Sequence, residues 1–456
     1  MNVLLLMVDE LSWWALGHTG GIAKTPNIDA LAQRSLRFTQ AYTPSPICVP
    51  TRAAIATGRD VHDVGCWSSA EPYDGQIPSW GHAVQSVGVP CVSIGKLHYR
   101  SAEDDTGFDA QLEPIHVVDG VGWVQALLRR PVAPMATPES LAQDIGAGKT
   151  DYHDFDLRVT ERACAWLAAP ERQVAPWCGF VSWLAPHFPL IAPAEYMKHY
   201  DPKAFETPAQ PVPDHPVLRD LEDYFSHDRF FSDAARGVAR AAYYGLCSFV
   251  DAQVGRVLSA LDQAGLSDDT LVLFTSDHGE MLGEKGFWTK STMYDSAAKV
   301  PLLMSGPGIT PGRWDAPVSL IDLAPTICTA LGAPCDGFSG QDLGAPDPER
   351  TVLSQYHDGG APVGLTMLRW DHWKLVHYAE GHPAQLFDLT SDPEELTDLA
   401  LTHPLILAEG AKRLSTLIDP EVANEQAHAD QAARVDALGG PQAVLDRGQF
   451  DYTPAG

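Results

Sequence analysis

Basic residues are scarce in this chain. Its 456 residues include 31 Lys and Arg against 59 Asp and Glu, a formal net charge of −28 at pH 7. A surface that acidic repels phosphate backbones and anionic headgroups, which argues against nucleic acid and membrane surfaces as partners. Long hydrophobic runs are missing too, since none approaches the roughly 18 apolar residues that span a bilayer. Cysteines number eight and fall at 48, 66, 91, 164, 178, 247, 328 and 335, with no CxxC pair and no dense framework. That spacing predicts reduced thiols in a cytoplasmic protein. The apolar start, Met1–Val8, lacks a basic flank and meets Asp9-Glu10 at once, so it reads as a buried first strand and not as a secretory leader. Glycine and proline, 38 and 36, are too few for a fibrous or low-complexity chain.

What is present is an ordinary globular composition, 45% hydrophobic and 20% charged. The length suits two domains. Asn2–Asp9 and Leu271–Asp277 are continuous apolar runs that end in an acid, the mark of parallel strands buried on both faces. Val89–Ile94 is a third such run, Asn27–Leu36 has helical spacing, and Ala241–Ala264 carries a helical apolar stripe stopped by Gly265. This alternation predicts an α/β fold, a large and mostly parallel sheet sandwiched by helices. From about Arg350 the pattern changes to short strand-like runs at Thr351–Tyr356, Gly364–Trp370, Trp373–Tyr378 and Gln385–Leu389, then a helix through Ala408–Ile418. A catalytic domain over 1–348 and a smaller α+β subdomain with an antiparallel sheet over 349–456 follow. The Pro420–Gly456 stretch reads as an arm against a partner subunit or a solvated tail. Asp201–His227 reads as a lid, with the Asp220–Asp228 charge run on its surface.

Acids that end parallel strands lie where open α/β sheets build their sites. Asp9 and the Asp277-His278 pair are therefore placed to hold a divalent cation, although each alone could be a loop starter or a cap. Cys48-Val-Pro-Thr-Arg52 precedes Ala-Ala-Ile-Ala-Thr-Gly-Arg59, which reads as a short helix from near Pro50 to Gly58. Cys48 then sits at a helix N-terminus, where backbone N–H groups favour an anion and a bare thiol would be a low-pKa nucleophile.

These residues resemble the type I sulfatases of the alkaline-phosphatase superfamily, whose mark is C-x-P-x-R followed by a helix ending in T-G-R. Cys48, Pro50, Arg52 and Thr57-Gly58-Arg59 match it. Further matches run in order through Asn2–Glu10, Lys24–Asp29, Gly95-Lys-Leu-His98, Pro186-His-Phe-Pro189, Thr275–Gly279, Lys299-Val-Pro301, Gln385–Leu389 and Asp392–Glu395. Each is weak alone, and their joint order is specific. The family features Gly95–Tyr99 and Asp277-His278 look closest to bacterial choline-sulfatase-like and arylsulfatase-like members.

The resemblance implies that a maturation enzyme, the formylglycine-generating enzyme, oxidises Cys48 to formylglycine, whose hydrate attacks the sulfate ester. Its second hydroxyl then offers an exit that expels inorganic sulfate. By the same resemblance Asp9, Glu10, Cys48, Asp277 and His278 hold one divalent metal, calcium first and manganese as the alternative. Arg52 steadies the modified side chain. Lys96 and His98 contact nucleophile and sulfate oxygens, with His98 taking the proton that releases sulfate. His187 and Lys290 bind sulfate, and either protonates the leaving oxygen. Two departures stand out: many members have Asp where this chain has Glu10, and Asn where it has His278, and a nitrogen ligand tilts a site away from calcium.

The implied activity is hydrolysis of aryl or small alkyl sulfate monoesters. The alternative on the same scaffold is a phosphonate monoester hydrolase or phosphodiesterase, whose relatives carry uncharged Tyr- or Thr-type residues where Lys96 and His98 stand. A remote alternative is a non-catalytic anion-binding or thiol protein. Substrate choice is expected from loops at Pro72–Trp80, Pro114–Arg130 and Asp201–Phe231. His62 is a candidate pocket residue, and Trp13, Trp14, Trp67 and Trp80 are candidates for an aromatic wall, with core packing as the plainer reading. Asp104-Asp105 reads as a solvated turn. A homodimer or homotetramer is expected because the tail has little apolar content to fold on its own.

Overall fold

The structure, a computed structural model, describes residues 1–133, 135–447 and 453–455. Among them a nine-stranded sheet runs through the molecule. Its order across is Gly312–Trp314, Leu36–Tyr42, Lys299–Ser305, Thr270–Ser276, Asn2–Asp9, Cys178–Pro186, Cys91–Lys96 and Ala110–Ile115, with Val318–Ser319 beside Leu36–Tyr42. Lys299–Ser305 runs antiparallel to both neighbours, and the other pairings are parallel. Asn2–Asp9 is buried along its whole length because helices cover both faces of the sheet. Leu4, Leu6 and Val8 pack with the long helix Asp233–Gln263 on one side, while Val3, Leu5 and Met7 face the layer of Ala53, Ile55 and Leu323 on the other.

The predicted strands and the four-stranded antiparallel sheet are present, the latter as Val352–Tyr356, Leu365–Trp370, Trp373–Tyr378 and Gln385–Asp388. Boundaries differ. The early helix stops at Gln33, because Leu36 already pairs with Met304 as the start of a strand. The long helix begins eight residues before its apolar stripe, at Asp233, where the Ser232 hydroxyl accepts the Ala235 N–H and caps it.

Two expectations are corrected. Pro420–Ala437 and Pro441–Asp446 are helices folded back on this chain, burying Ala427, Val435 and Val444. The stretch is therefore neither a solvated tail nor an arm lacking a place to pack, and the argument for an oligomer from it lapses; its residues 448–452 and 456 lie outside the described residues. Asp228 is not lid surface. It is buried, accepting from Arg236 and from the Trp288 indole at 2.9 Å.

The sheet delivers four chain ends to one edge. Thr270–Ser276, Asn2–Asp9, Cys178–Pro186 and Cys91–Lys96 are adjacent and parallel, so Asp277, Asp9, His187 and Lys96 emerge side by side at their carboxyl ends.

Candidate active site

Cys48 opens the helix Cys48–Thr57, two residues earlier than the proline signal suggested, after an extended Ile47. Gly58 closes that helix at φ 62°, and a Cβ there would lie 2.7 Å from Ala324, so only glycine fits. Burial pushes the Cys48 thiol up to about 11, against the pull of Lys290 and Lys96. A bare thiol here is protonated at neutral pH, which corrects the low-pKa expectation: at this depth desolvation outweighs the helix dipole.

Beside Cys48 lies a set of buried donors. His278 donates Nδ1–H to the Gly279 carbonyl at 3.0 Å, because a carbonyl can only accept. That leaves the Nε2 lone pair facing Asp9 Oδ1 at 3.6 Å and Asp277 Oδ1 at 3.7 Å. Among the described residues, His278 Nε2 and Asp9 Oδ1 have no hydrogen-bond partner. Converging lone pairs repel one another unless a cation sits between them. Ligand atoms of Asp9, Cys48, Asp277 and His278 all lie within 4.8 Å of one another, which is a fit to one divalent ion. The Nδ1 bond to a carbonyl is the usual way such a histidine is oriented. Glu10 belongs to a second group, with Asp9 and His187, and its Oε1 is also without a partner.

Cations neutralise the other side of these acids. Arg52 donates Nε to Asp277 at 2.8 Å, and its Nη1 bonds the Lys96 carbonyl and the Ser182 hydroxyl at 2.8 and 3.0 Å. Lys96 donates to Asp9. Burial alone would raise Asp9, but Lys96 and Arg52 hold it well below the usual carboxylate range. Glu10, with Glu280 adding to its burial penalty, is raised well above that range despite Lys290. Gly95 makes the Lys96 placement possible: at φ 101° it breaks the strand register between Ile94 and Lys96, and a Cβ would collide with the Ser182 carbonyl.

Lys290 reaches Glu10 at 3.1 Å and donates to His187 Nε2 at 2.8 Å, while His187 gives its Nδ1–H to the Phe188 carbonyl at 2.7 Å. Burial and Lys290 keep His187 well below the usual histidine range, hence neutral. For Lys290, burial works against the charge, yet Cys48, Glu10 and the aspartates outweigh it and hold it above the ordinary lysine range. Glu10, His98, Thr289 and Ser291 all adopt left-handed backbone at φ 57–77°, each costing about 1–3 kcal/mol, a concentration of strain typical of functional sites.

A cavity of about 120 Å³ leads from Cys48, Lys96, His98, His187 and Lys290 outward. All six residues expected to carry catalysis thus converge, although Arg52 lies behind the cavity wall under the acids. Of the substrate loops, Val117, Gly122 and Trp123 come from the second and Phe225 and His227 from the third; Pro72–Trp80 contributes nothing to the lining. The aromatic walls are Trp123, Tyr152, Phe188 and Phe225. Trp13, Trp14, Trp67 and Trp80 are elsewhere, Trp67 bonded to Asp430 and Trp80 packed on Phe108. His62 bonds Gln355 away from this cavity. Asp105 is exposed and lies 3.2 Å from His82, and Asp104 pairs with Arg100, so both acids of the expected solvated turn have partners.

Sequence reasoning missed three site residues. Glu280 accepts the Leu282 and Thr289 N–H groups at 2.7 and 2.6 Å and so pins the loop that presents Lys290. Its position two residues after His278 was the available signal. Ser182 lies in the strand Cys178–Pro186, an apolar run that passed unread. Thr453 bonds His98 from the far end of the chain, which no local pattern announces.

The sequence model of the Sulfatase family matches residues 1–333. The chain is 32% identical over 424 residues to the choline-sulfatase of Rhizobium meliloti (strain 1021), covering 88% of this chain and 82% of that protein. It is 30% identical over 459 residues to human (Homo sapiens) arylsulfatase K, covering 92% and 82%. Among solved structures it superposes on the phosphonate monoester hydrolase of Agrobacterium radiobacter with a TM-score of 0.73 at 26% identity, covering 91% of this chain and 95% of that one. A putative sulfatase from Bacteroides thetaiotaomicron, 22% identical, shares the fold at the same TM-score over 93% and 94%. The fold is that of the alkaline-phosphatase-like enzymes, as the sequence resemblance implied. With strand ends, buried acids and cationic side chains arranged in this way, the chain belongs to the sulfatase family and is a sulfuric ester hydrolase.

Proposed function

We propose that this protein cleaves sulfate monoesters of aryl or small alkyl alcohols through formylglycine made from Cys48. The observation that carries the reading is the pair of buried ammonium groups, Lys96 on Asp9 and Lys290 on Glu10 and His187, flanking Cys48 at the cavity floor. Each lysine is held in place by a carboxylate behind it while still lining the cavity beside Cys48, so its charge is fixed where the oxygens of an anionic ester would sit. The hydrated aldehyde at residue 48 would supply the oxygen nucleophile and, through its second hydroxyl, the route by which sulfate leaves. A divalent cation, calcium first with manganese as the alternative, would be held by Asp9, Asp277, His278 and residue 48, with Glu10 adjoining, and would act as a Lewis acid.

The chain's own groups do the rest. Arg52 and Lys96 keep Asp277 and Asp9 in place and balance their charge. Lys96 and Lys290 clamp the sulfate oxygens. His187 Nε2 accepts from Lys290 at 2.8 Å and has no proton of its own to give there, so of the two it is the Lys290 ammonium that carries the proton for a leaving oxygen, with His187 orienting it. His98, kept neutral by burial with Lys96 and Arg52 nearby, is able to accept the proton that triggers sulfate release.

The phosphonate or phosphodiester alternative draws support from the Agrobacterium radiobacter neighbour. Lys96 and His98 favour sulfate, because phosphonate hydrolases resembling this chain carry uncharged residues there. The non-catalytic thiol reading loses ground to the raised Cys48 thiol.

The same reading extends to a catalytic domain over 1–348 with a C-terminal subdomain over 349–456 and to a cytoplasmic protein served transiently by a formylglycine-generating enzyme. Eight unpaired cysteines support the compartment, and no helix among the described residues is long and apolar enough to cross a membrane. The deciding experiment is mass spectrometry of the tryptic peptide Phe38–Arg52 from protein made with the maturation enzyme, followed by rates on sulfate and phosphonate esters. Thiol-to-aldehyde conversion with faster sulfate turnover supports the proposal; an intact thiol alongside a modified control protein overturns it.

A further inference from the structure

The last described residues of the chain reach the cavity. Thr453 lines it, its Oγ1 hydrogen-bonded to His98 Nε2 at 3.0 Å. The Tyr152 hydroxyl donates to the Thr453 carbonyl at 2.8 Å, and Arg158 donates to the Ala455 carbonyl at 3.2 Å. Ala455 is buried among core side chains, so the segment is anchored to His98 and along the helix Asp151–Ala168. The helices that lead toward it belong to the same construction. Val435 and Val444 pack on Ala70, Val124 and Leu127, next to Ser69 and Trp123 of the cavity lining.

We propose that the short segment Thr453–Ala455 near the end of the chain forms a wall of the active site: Thr453 bounds the space beside His98 and sets how bulky an alcohol the site admits. The substrate part of this inference rests on the sulfatase reading; the occlusion of Cys48 does not. Thr453 is a specificity-determining residue in this account, and His98 keeps its role without it. A larger side chain at 453 narrows the compartment, and loss of the segment opens it toward solvent.

Two readouts test this. In protein made without the maturation enzyme, so that residue 48 is a thiol, Cys48 is labelled with a small and with a pyrene-sized maleimide and quantified by peptide mass spectrometry, with exposed Cys335 as internal control. Truncation after Arg447 should raise labelling by the bulky reagent at least about tenfold relative to the small one, with Cys335 unchanged. In matured enzyme, Thr453→Gly should raise, and Thr453→Trp lower, the ratio of kcat/KM for a naphthyl-type over a phenyl-type sulfate. Circular dichroism checks folding, and the two point variants decide if the truncation does not fold. An unchanged reagent ratio together with an unchanged substrate ratio overturns the wall. If the matured protein turns over no sulfate ester, the functional reading fails while the labelling arm still decides the wall.

Discussion

His278 Nε2 stands 3.6 Å from Asp9 Oδ1, both buried and both without a hydrogen-bond partner among the described residues. That separation is too long for a hydrogen bond and fits two ligands of one ion, each about 2.0–2.5 Å from it. The relationship joins the first strand to one that forms more than 260 residues later.

His278→Ala should therefore lower metal affinity at least about 10–100-fold, and chelation should lower the thermal midpoint of the native protein by removing a ligand of the folded state. Metal content by elemental mass spectrometry and a melting curve with and without EDTA check both. A full metal complement in the variant would mean the ligand set is wrong.

Cys48→Ala and Cys48→Ser should each reduce kcat by at least about 10⁴-fold with little change in stability, since both remove a nucleophile from a site that tolerates small side chains. Serine can be sulfated but lacks the aldehyde route for release, so a stoichiometric burst without turnover is the expected trace.

Arg52→Met leaves Asp277 and Asp9 buried beside one fewer cation. Breaking a buried pair from one side costs about 3–5 kcal/mol. Urea unfolding should show that loss even in the unmatured protein; a change under about 1 kcal/mol would place the guanidinium outside the stabilising network.

Glu71 gives a pH signature. Burial raises its carboxyl to about 7, against the Ser68 hydrogen bond. A raised acid stays protonated in the fold after the unfolded chain has ionised, so its stability contribution is intact below about pH 4 and is lost as pH rises to 7. Glu71→Gln should be more stable than the native protein at pH 8 by about 2–3 kcal/mol and equal to it near pH 4. Equal stability at both values would show that the fold does not raise the Glu71 carboxyl.

Much of the site was legible because its residues end strands or begin a helix. Asp9, Asp277-His278 and Cys48 sit at the ends of apolar runs or beside a proline turn, so local pattern and family spacing reach them directly. The alternation and length of apolar runs likewise determined the α/β class and the change to short antiparallel strands after residue 350. Tertiary structure decided what depends on burial and on distant neighbours. Only depth raises Cys48 to about 11, and only the Gly279 carbonyl and the Phe188 carbonyl settle which nitrogens of His278 and His187 carry protons. The walls of the cavity, Trp123, Phe225 and Thr453, come from loops and from the chain end. Their side chains meet because the sheet and the C-terminal helices bring them together, and desolvation and long-range packing leave no periodic trace in the sequence.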